Sequence, residues 1–167
     1  TAKPVLYACN VSEHDSAKGN TLSAEVAEKA EEEGAAYVIV SAAIEAEIAT
    51  LSDEEAAEFI SDMGLKEPGL NRLIRAGYDL LDLLTFFTAG PKEARAWTVQ
   101  NPATAPMAAG VIHTDFQRGF IRAETVSYDD YTACQGEAGA KDAGKLRIEG
   151  ADYHVKDGDI FHFRFNV

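Results

Sequence analysis

Apolar residues along the chain fall into two textures, and the change comes near position 84. Before it, short unbroken apolar runs alternate with longer stretches in which apolar residues recur every three or four positions. Val5-Leu6-Tyr7-Ala8-Cys9 and Ala36-Tyr37-Val38-Ile39-Val40 are continuous runs, the pattern of strands covered on both faces. Between them, Thr21 to Glu33 places Leu22, Val26 and Ala30 at intervals of four among good helix formers, and Gly34 ends the segment. This β-α-β rhythm predicts a parallel sheet in the first fifty residues. Ser52-Asp53-Glu54-Glu55 forms a capping box ahead of Ala56, Phe59 and Ile60, predicting a short helix that stops near Gly64. Glu54, Glu55 and Glu58 read as its solvated, dipole-favoured face rather than as metal ligands. Pro68-Gly69 opens a further helix whose Leu70, Leu73, Ile74, Tyr78 and Leu81 share one stripe.

Beyond Leu84 the runs become short and alternating. Strands are predicted over 85–88, 94–100, 120–127, 146–149 and 159–165, with helices over 105–112 and 128–143, the second broken by glycines. Phe161, Phe163, Phe165 and Val167 alternate along the last strand as a core face, which sends His162, Arg164 and Asn166 to the other side of the pleat. No internal repeat is evident.

With 167 residues, 46% hydrophobic and 26% charged, the chain can bury the core of one ordinary domain or of two small ones. It has no apolar run near the roughly 18 residues of a membrane span, so no membrane partner is expected. Cys9 and Cys134 form no C-x-x-C pattern, which fits a reducing, cytoplasmic location, with Cys9 a small buried hydrophobe. A net charge of −13 argues against the whole chain clamping nucleic acid. Residues 1–83 hold 6 basic and 17 acidic side chains, a net of −11, whereas 84–167 hold 9 and 11, a net of −2. Any polyanion contact is therefore expected in the second half.

The candidate chemistry sits where the two early strands end. Asn10-Val11-Ser12-Glu13 follows the first and Ser41-Ala42-Ala43 the second. A carboxamide at a strand's C-terminal edge can pair with a purine's N7 and its six-position substituent, and small residues in the next loop can close on the ring. No G-x-x-x-x-G-K-[ST] is present to cradle phosphates or place a magnesium-binding hydroxyl. Thr1-Ala2-Lys3-Pro4 lacks an initiator Met and runs at once into a strand, so the chain is read as a C-terminal fragment. His113-Thr114-Asp115 is read as a turn in which Thr114 and Asp115 satisfy backbone groups. His154 and His162 fall on neighbouring predicted strands but supply too few ligands for zinc. No catalytic residue and no metal ligand is expected.

Longer stretches then carry a resemblance. Leu84-Thr85-Phe86-Phe87-Thr88-Ala89-Gly90-Pro91-Lys92-Glu93, Ala94-Arg95-Ala96-Trp97-Thr98, Gly110-Val111-Ile112-His113-Thr114-Asp115-Phe116, Arg118-Gly119-Phe120-Ile121-Arg122-Ala123-Glu124 and Asp157-Gly158-Asp159-Ile160-Phe161-His162-Phe163-Arg164-Phe165 closely resemble the TGS domain of the YchF / Obg-like ATPases. Leu70-Asn71-Arg72-Leu73-Ile74-Arg75 and Ser41-Ala42-Ala43-Ile44-Glu45-Ala46-Glu47 resemble the segments before that domain. The resemblance implies an α/β remnant of a P-loop nucleotidase domain over 1–50, a helical connector over 51–83, and an α+β TGS domain of β-grasp fold over 84–167. It also implies that Asn10, Val11 and Glu13, with Ser41, Ala42 and Ala43, belong to the fourth and fifth nucleotide-binding motifs, the first three being absent.

The fourth motif departs from the Asn-Lys-x-Asp of GTPases. A guanine-reading Asp accepts from N1–H and the exocyclic amine, donors that adenine lacks at those positions, whereas Asn10 suits adenine's N7 and N6, so ATP is expected over GTP. Val11 would offer a backbone group and an apolar contact, and Glu13 either faces solvent or meets residues outside the chain. Nucleotide and Mg would act in the full-length parent, a ribosome-associated nucleotidase, and the isolated chain is expected to hydrolyse nothing. The alternative is a stand-alone TGS-type binding module. Arg122, His162 and Arg164 are the candidate contacts to ribosome or ribosomal RNA, unless the arginines pair with Glu124 or Asp159. Missing neighbours for the early strands predict self-association of the fragment.

Overall fold

The computed structural model describes residues 3–166. The chain divides into two compact units, one ending at Leu81 and the other beginning at Asp82.

In the first unit, strands β1 (Leu6–Asn10) and β2 (Ala36–Val40) pair in parallel, from Leu6 opposite Ala36 to Asn10 opposite Val40. β1 lies one residue later than its apolar run predicts, which makes Asn10 the last residue of the strand. Helix α1 (Thr21–Glu33) connects them. Asn20 caps it by accepting from Ser23 N–H at 3.1 Å, while Ser23 Oγ accepts from Asn20 N–H at 2.8 Å. Gly34, with φ of 64°, ends it in the left-handed conformation that glycine adopts without strain.

A helix follows β2 at once. Ser41-Ala42-Ala43, read from sequence as a loop, is the cap and first turn of α2 (Ala42–Ile48), because Ala-Ala-Ile-Glu-Ala-Glu-Ile is a strongly helical run and Ile44 is buried beneath it. Helix α3 (Asp53–Asp62) begins at the predicted Ser52–Glu55 capping box. Helix α4 (Gly69–Leu81) packs on β2, and Gly69 N–H donates to Glu45 Oε1 at 2.7 Å. Any side chain at 69 would crowd that carboxylate and the Val40 backbone.

The second unit is built on β3 (Leu83–Ala89), β4 (Ala94–Gln100), β5 (Phe120–Ser127), β6 (Arg147–Glu149) and β7 (Asp159–Phe165), in the sheet order β4-β3-β7-β5-β6. The last strand thus enters the middle, parallel to β3 and antiparallel to β5. Helix α5 (Ala105–Ile112) covers one face. Its Ala105, Ala108 and Ala109 are completely buried at helical spacing, small enough to let the helix settle onto the sheet. Phe86 meets Phe161 and Phe163 edge-on, with ring centres 5.7 and 6.3 Å apart.

The predicted alternation on β7 therefore holds for Phe161 and Phe163. Phe165 is 37% exposed and stacks on Phe116 instead, while Val167 lies outside the described residues. The remaining helices are short: α6 (Thr114–Arg118), α7 (Tyr128–Ala133) and α8 (Glu137–Asp142). Positive φ at Gln135 and Gly136 separates the last two, where the glycines of 128–143 predicted a break. Asp159, 2% exposed, accepts from Tyr153 O–H at 2.8 Å and Lys156 N–H at 2.9 Å. Burial, then that hydrogen bond, pushes the Tyr153 phenol up to about 12.

Candidate functional site

The two early strand ends are joined through a side chain. Asn10 Oδ1 accepts from the N–H of Ala42 at 3.0 Å, so the carboxamide of one motif is held by the first helical residue of the other. This bond fixes the amide's orientation. Its oxygen keeps one lone pair, and Nδ2 donates to no group among the described residues. The Val11 N–H, offered from sequence as a group for the base, is instead spent on Val40 O at 2.9 Å, extending the parallel ladder. Glu13 is exposed in a 3-10 turn over Glu13–Asp15. Ser41 is 2% exposed, and its hydroxyl has no hydrogen-bond partner among the described residues. Ala42 and Ala43 are exposed.

Asn10 opens onto a cleft of about 240 Å³ whose walls include Tyr7, Cys9, Val11, Asn20 and Val26. Complete small-molecule sites occupy about 300–1,000 Å³, so this cleft has room for a base rather than a whole nucleotide. Asn20 is the contributor that motif reading overlooks. Besides capping α1 it donates from Nδ2 to Asp15 Oδ2 at 3.0 Å, and hydrogen bonds from Asn20 and Ser12 hold the Asp15 carboxyl below its ordinary range. Its signal in the sequence is its place immediately before a helical run.

On the second unit, the face across the pleat from the core carries Arg122, Glu124, His162 and Arg164. Arg122 lies opposite Arg164, and Glu124 opposite His162. The arginines do not stand free: Arg164 clamps Glu124 with Nε at 3.1 Å and Nη2 at 3.0 Å, and Arg122 comes within 3.9 Å of the same carboxylate. Glu124, with 14% of its side chain exposed, is held below the usual carboxylate range first by the Arg164 bond. Of the two readings left open by the sequence, pairing with Glu124 is the one present.

His162 Nδ1 lies 4.0 Å from both Glu124 and Glu137, and these three can bring ligand atoms together among the described residues. Arg164 already engages Glu124 there. Among the described residues, the β1 and β2 ends present no comparable cluster of three such side chains. His154 pairs with Thr104 in an isolated bridge rather than lying on a strand beside His162. In the 113–115 segment the cap is His113 itself, whose Nδ1 accepts from Asp115 N–H at 3.2 Å, because α6 begins where a turn was expected.

The family described as YchF-GTPase_C, a protein of unknown function, matches residues 83–166, half of the chain. The chain belongs to the YchF family. This YchF chain is 62% identical over 167 residues to the ribosome-binding ATPase YchF of Haemophilus ducreyi, and 54% identical over 169 residues to that of Bacillus subtilis. Each comparison covers 100% of this chain and 46% of the relative, so the chain spans about half the length of the curated relatives it matches. The structure of the Schizosaccharomyces pombe YchF GTPase superposes with a TM-score of 0.81 at 34% identity, over 98% of this chain and 44% of that one. The GTP binding protein of Pyrococcus horikoshii shares the fold at 18% identity and a TM-score of 0.65.

Proposed function

We propose that this YchF chain supplies the purine-reading edge and the partner-binding domain of an ATP-preferring, ribosome-associated P-loop nucleotidase of the cytoplasm. The observation that carries the reading is the Asn10–Ala42 hydrogen bond. It presents a fixed carboxamide at the mouth of a base-sized cleft, with Nδ2 free to donate to a purine N7 and an oxygen lone pair left for the N6 amine of adenine. An Asp in the guanine-reading position is missing, since Glu13 occupies it within an exposed turn. The relatives' names, ribosome-binding ATPase, agree with both halves of the reading.

The second unit acts as a TGS domain of β-grasp type, a reading supported by a mixed sheet with its last strand in the middle and a helix on one face. Phosphate binding and Mg belong to the full-length protein, and the chain alone is expected to turn over no nucleotide. Arg122 and Arg164 share Glu124, and Glu137 stands 4.0 Å from His162, so two cationic and two anionic side chains meet on this face and leave it at most a weak polyanion surface.

In the full-length protein, Asn10→Ala is expected to weaken ATP by about 1–3 kcal/mol, the worth of a bidentate base contact. Titration calorimetry measures it. Unchanged affinity would place base recognition elsewhere.

A further inference from the structure

We propose that a groove at the β3–β4 end of the second unit is a stacking site for single-stranded RNA, with a base seated on Trp97; this rests on the ribosome-associated reading above and names the surface for it. The groove holds about 750 Å³ and is walled by Lys92, Arg95, Trp97, Phe116, Phe163 and Phe165. Arg95 and Trp97 are two apart on β4 and so share a face. Trp97 Nε1 donates to Thr88 Oγ1 at 2.9 Å across the β3–β4 pair, which locks the indole in one orientation. The Arg95 guanidinium lies over that ring, 4.1 Å from its centroid, so the ring face already accepts a flat group. A few residues away Phe116 and Phe165 stack with centres 3.8 Å apart, giving a second platform.

The cations of this groove differ from most others of the unit in lacking a carboxylate partner among the described residues. Arg118, Arg122, Lys145, Arg147 and Arg164 each have a carboxylate oxygen within 4.0 Å. Lys92 and Arg95 have none among the described residues. Lys141 and Lys156 also lack one, but they do not line the groove. Glu93 does line it, so the net excess is a single positive charge and affinity must come mainly from stacking. Unpaired cations set among aromatic faces suit a polymer that is anionic along its backbone and flat at its bases. A base takes the Trp97 face, and the displaced Arg95 reaches the adjoining phosphate.

Trp97 is the single tryptophan of the chain, so its fluorescence reports the site directly. The 167-residue chain is titrated with oligouridylate and oligoadenylate of about twelve nucleotides, a length matched to the site sizes of single-strand binders. Saturable quenching of Trp97 emission is expected, together with a rise in anisotropy of labelled RNA. Trp97→Leu should weaken binding about tenfold, and Trp97→Phe, which keeps a ring, should retain most of it. Lys92→Glu with Arg95→Glu should weaken binding and flatten the salt dependence by about one to two logarithmic units of slope, for two phosphate contacts. Lys141→Glu with Lys156→Glu, an equal change of charge outside the groove, should leave binding nearly as it was.

Thermal unfolding checks that each variant is folded. Equal binding by wild type and both Trp97 variants, or equal loss from the two charge pairs, overturns the groove assignment. RNA that neither binds nor quenches, with ribosome co-sedimentation of the full-length protein still dependent on Trp97, makes the occupant a protein segment and also overturns it. Trp97-dependent RNA binding without co-sedimentation upholds the groove and removes the ribosome-associated reading instead.

Discussion

The sheet of the second unit has its final strand in its middle; the sheet of the first unit, among the described residues, is only the pair β1–β2. β7 is flanked on both sides, and Phe86, Phe161 and Phe163 close beneath α5 into one core. In the first unit the buried apolar side chains are Ala30, Val38 and Ile44, while Leu22, Tyr37, Leu70 and Ile74 stay exposed. Two parallel strands with open outer edges and a small core are marginal, because parallel sheets are stable when both faces are covered and neighbours pair. The unit that carries Asn10 is thus the less self-sufficient one, in a chain spanning 46% of its relatives' length. The strand ends at Asn10 and Val40 and the Arg122–Arg164 face rest on scaffolds of unequal strength.

The largest effect that can break this contrast comes from the stronger core. Phe86→Ala should cost about 3–5 kcal/mol in the unfolding of the second unit, the usual result of emptying a buried aromatic site. Trp97 fluorescence in a denaturant titration reads that unit specifically. Amide exchange on the same wild-type sample should be faster throughout 3–50 than across 84–166, by the difference in local stability. Similar protection in both stretches, in a sample shown to be monomeric, would abolish the contrast. Concentration-dependent protection confined to β1 and β2 would sharpen it, since open strand edges pair with other copies.

Much of this architecture was legible because it is locally encoded. The helices over 21–33 and 105–112 and the strands over 36–40, 94–100, 120–127 and 159–165 end where periodicity, caps and glycines place their ends. Chemistry that depends on distant partners was not. Asn10 and Ala42 are 32 residues apart, so nothing near Asn10 announces that one of its lone pairs is engaged. Likewise the β5–β7 register, fixed by the sheet, sets Arg122 and Arg164 around one Glu124. The helix at Ala42–Ile48 is a different kind of miss: its composition is plainly helical, and reading Ser41-Ala42-Ala43 as a motif loop obscured it. The groove at Trp97 has a local trace in the Arg95–Trp97 alternation, but its opposite wall comes from α6 and β7.

A middle-sized effect probes the weaker unit. Asn20→Ala removes both the α1 cap and the bond to Asp15, which should cost the first unit about 1–2 kcal/mol. Exchange over 6–40 should accelerate while the Trp97 transition keeps its midpoint, and the Asp15 carboxyl should move back up toward its ordinary range as its Asn20 donor disappears. A shift of the Trp97 transition would show that the two units unfold together, and their unequal cores would then carry no separate meaning.

The smallest effect lies on the Arg122–Glu124–Arg164 face of the second unit. Arg164 lowers the titration of Glu124 in the folded chain, so this interaction is fully present above the carboxyl's ordinary value of 4.5 and is lost as pH falls through the lower folded value. Because the arginine is about half exposed, water and salt screen it, and Glu124→Gln should cost about 1 kcal/mol or less at neutral pH and low salt. The variant should also lose part of the acid-induced destabilisation that wild type shows below about pH 4.5. Thermal midpoints of the second unit, taken from pH 7 downward at two salt concentrations, measure both. Parallel midpoint curves for the two proteins would mean that the clamp on Glu124 contributes nothing to stability, leaving the aromatic core to carry the second unit's advantage alone.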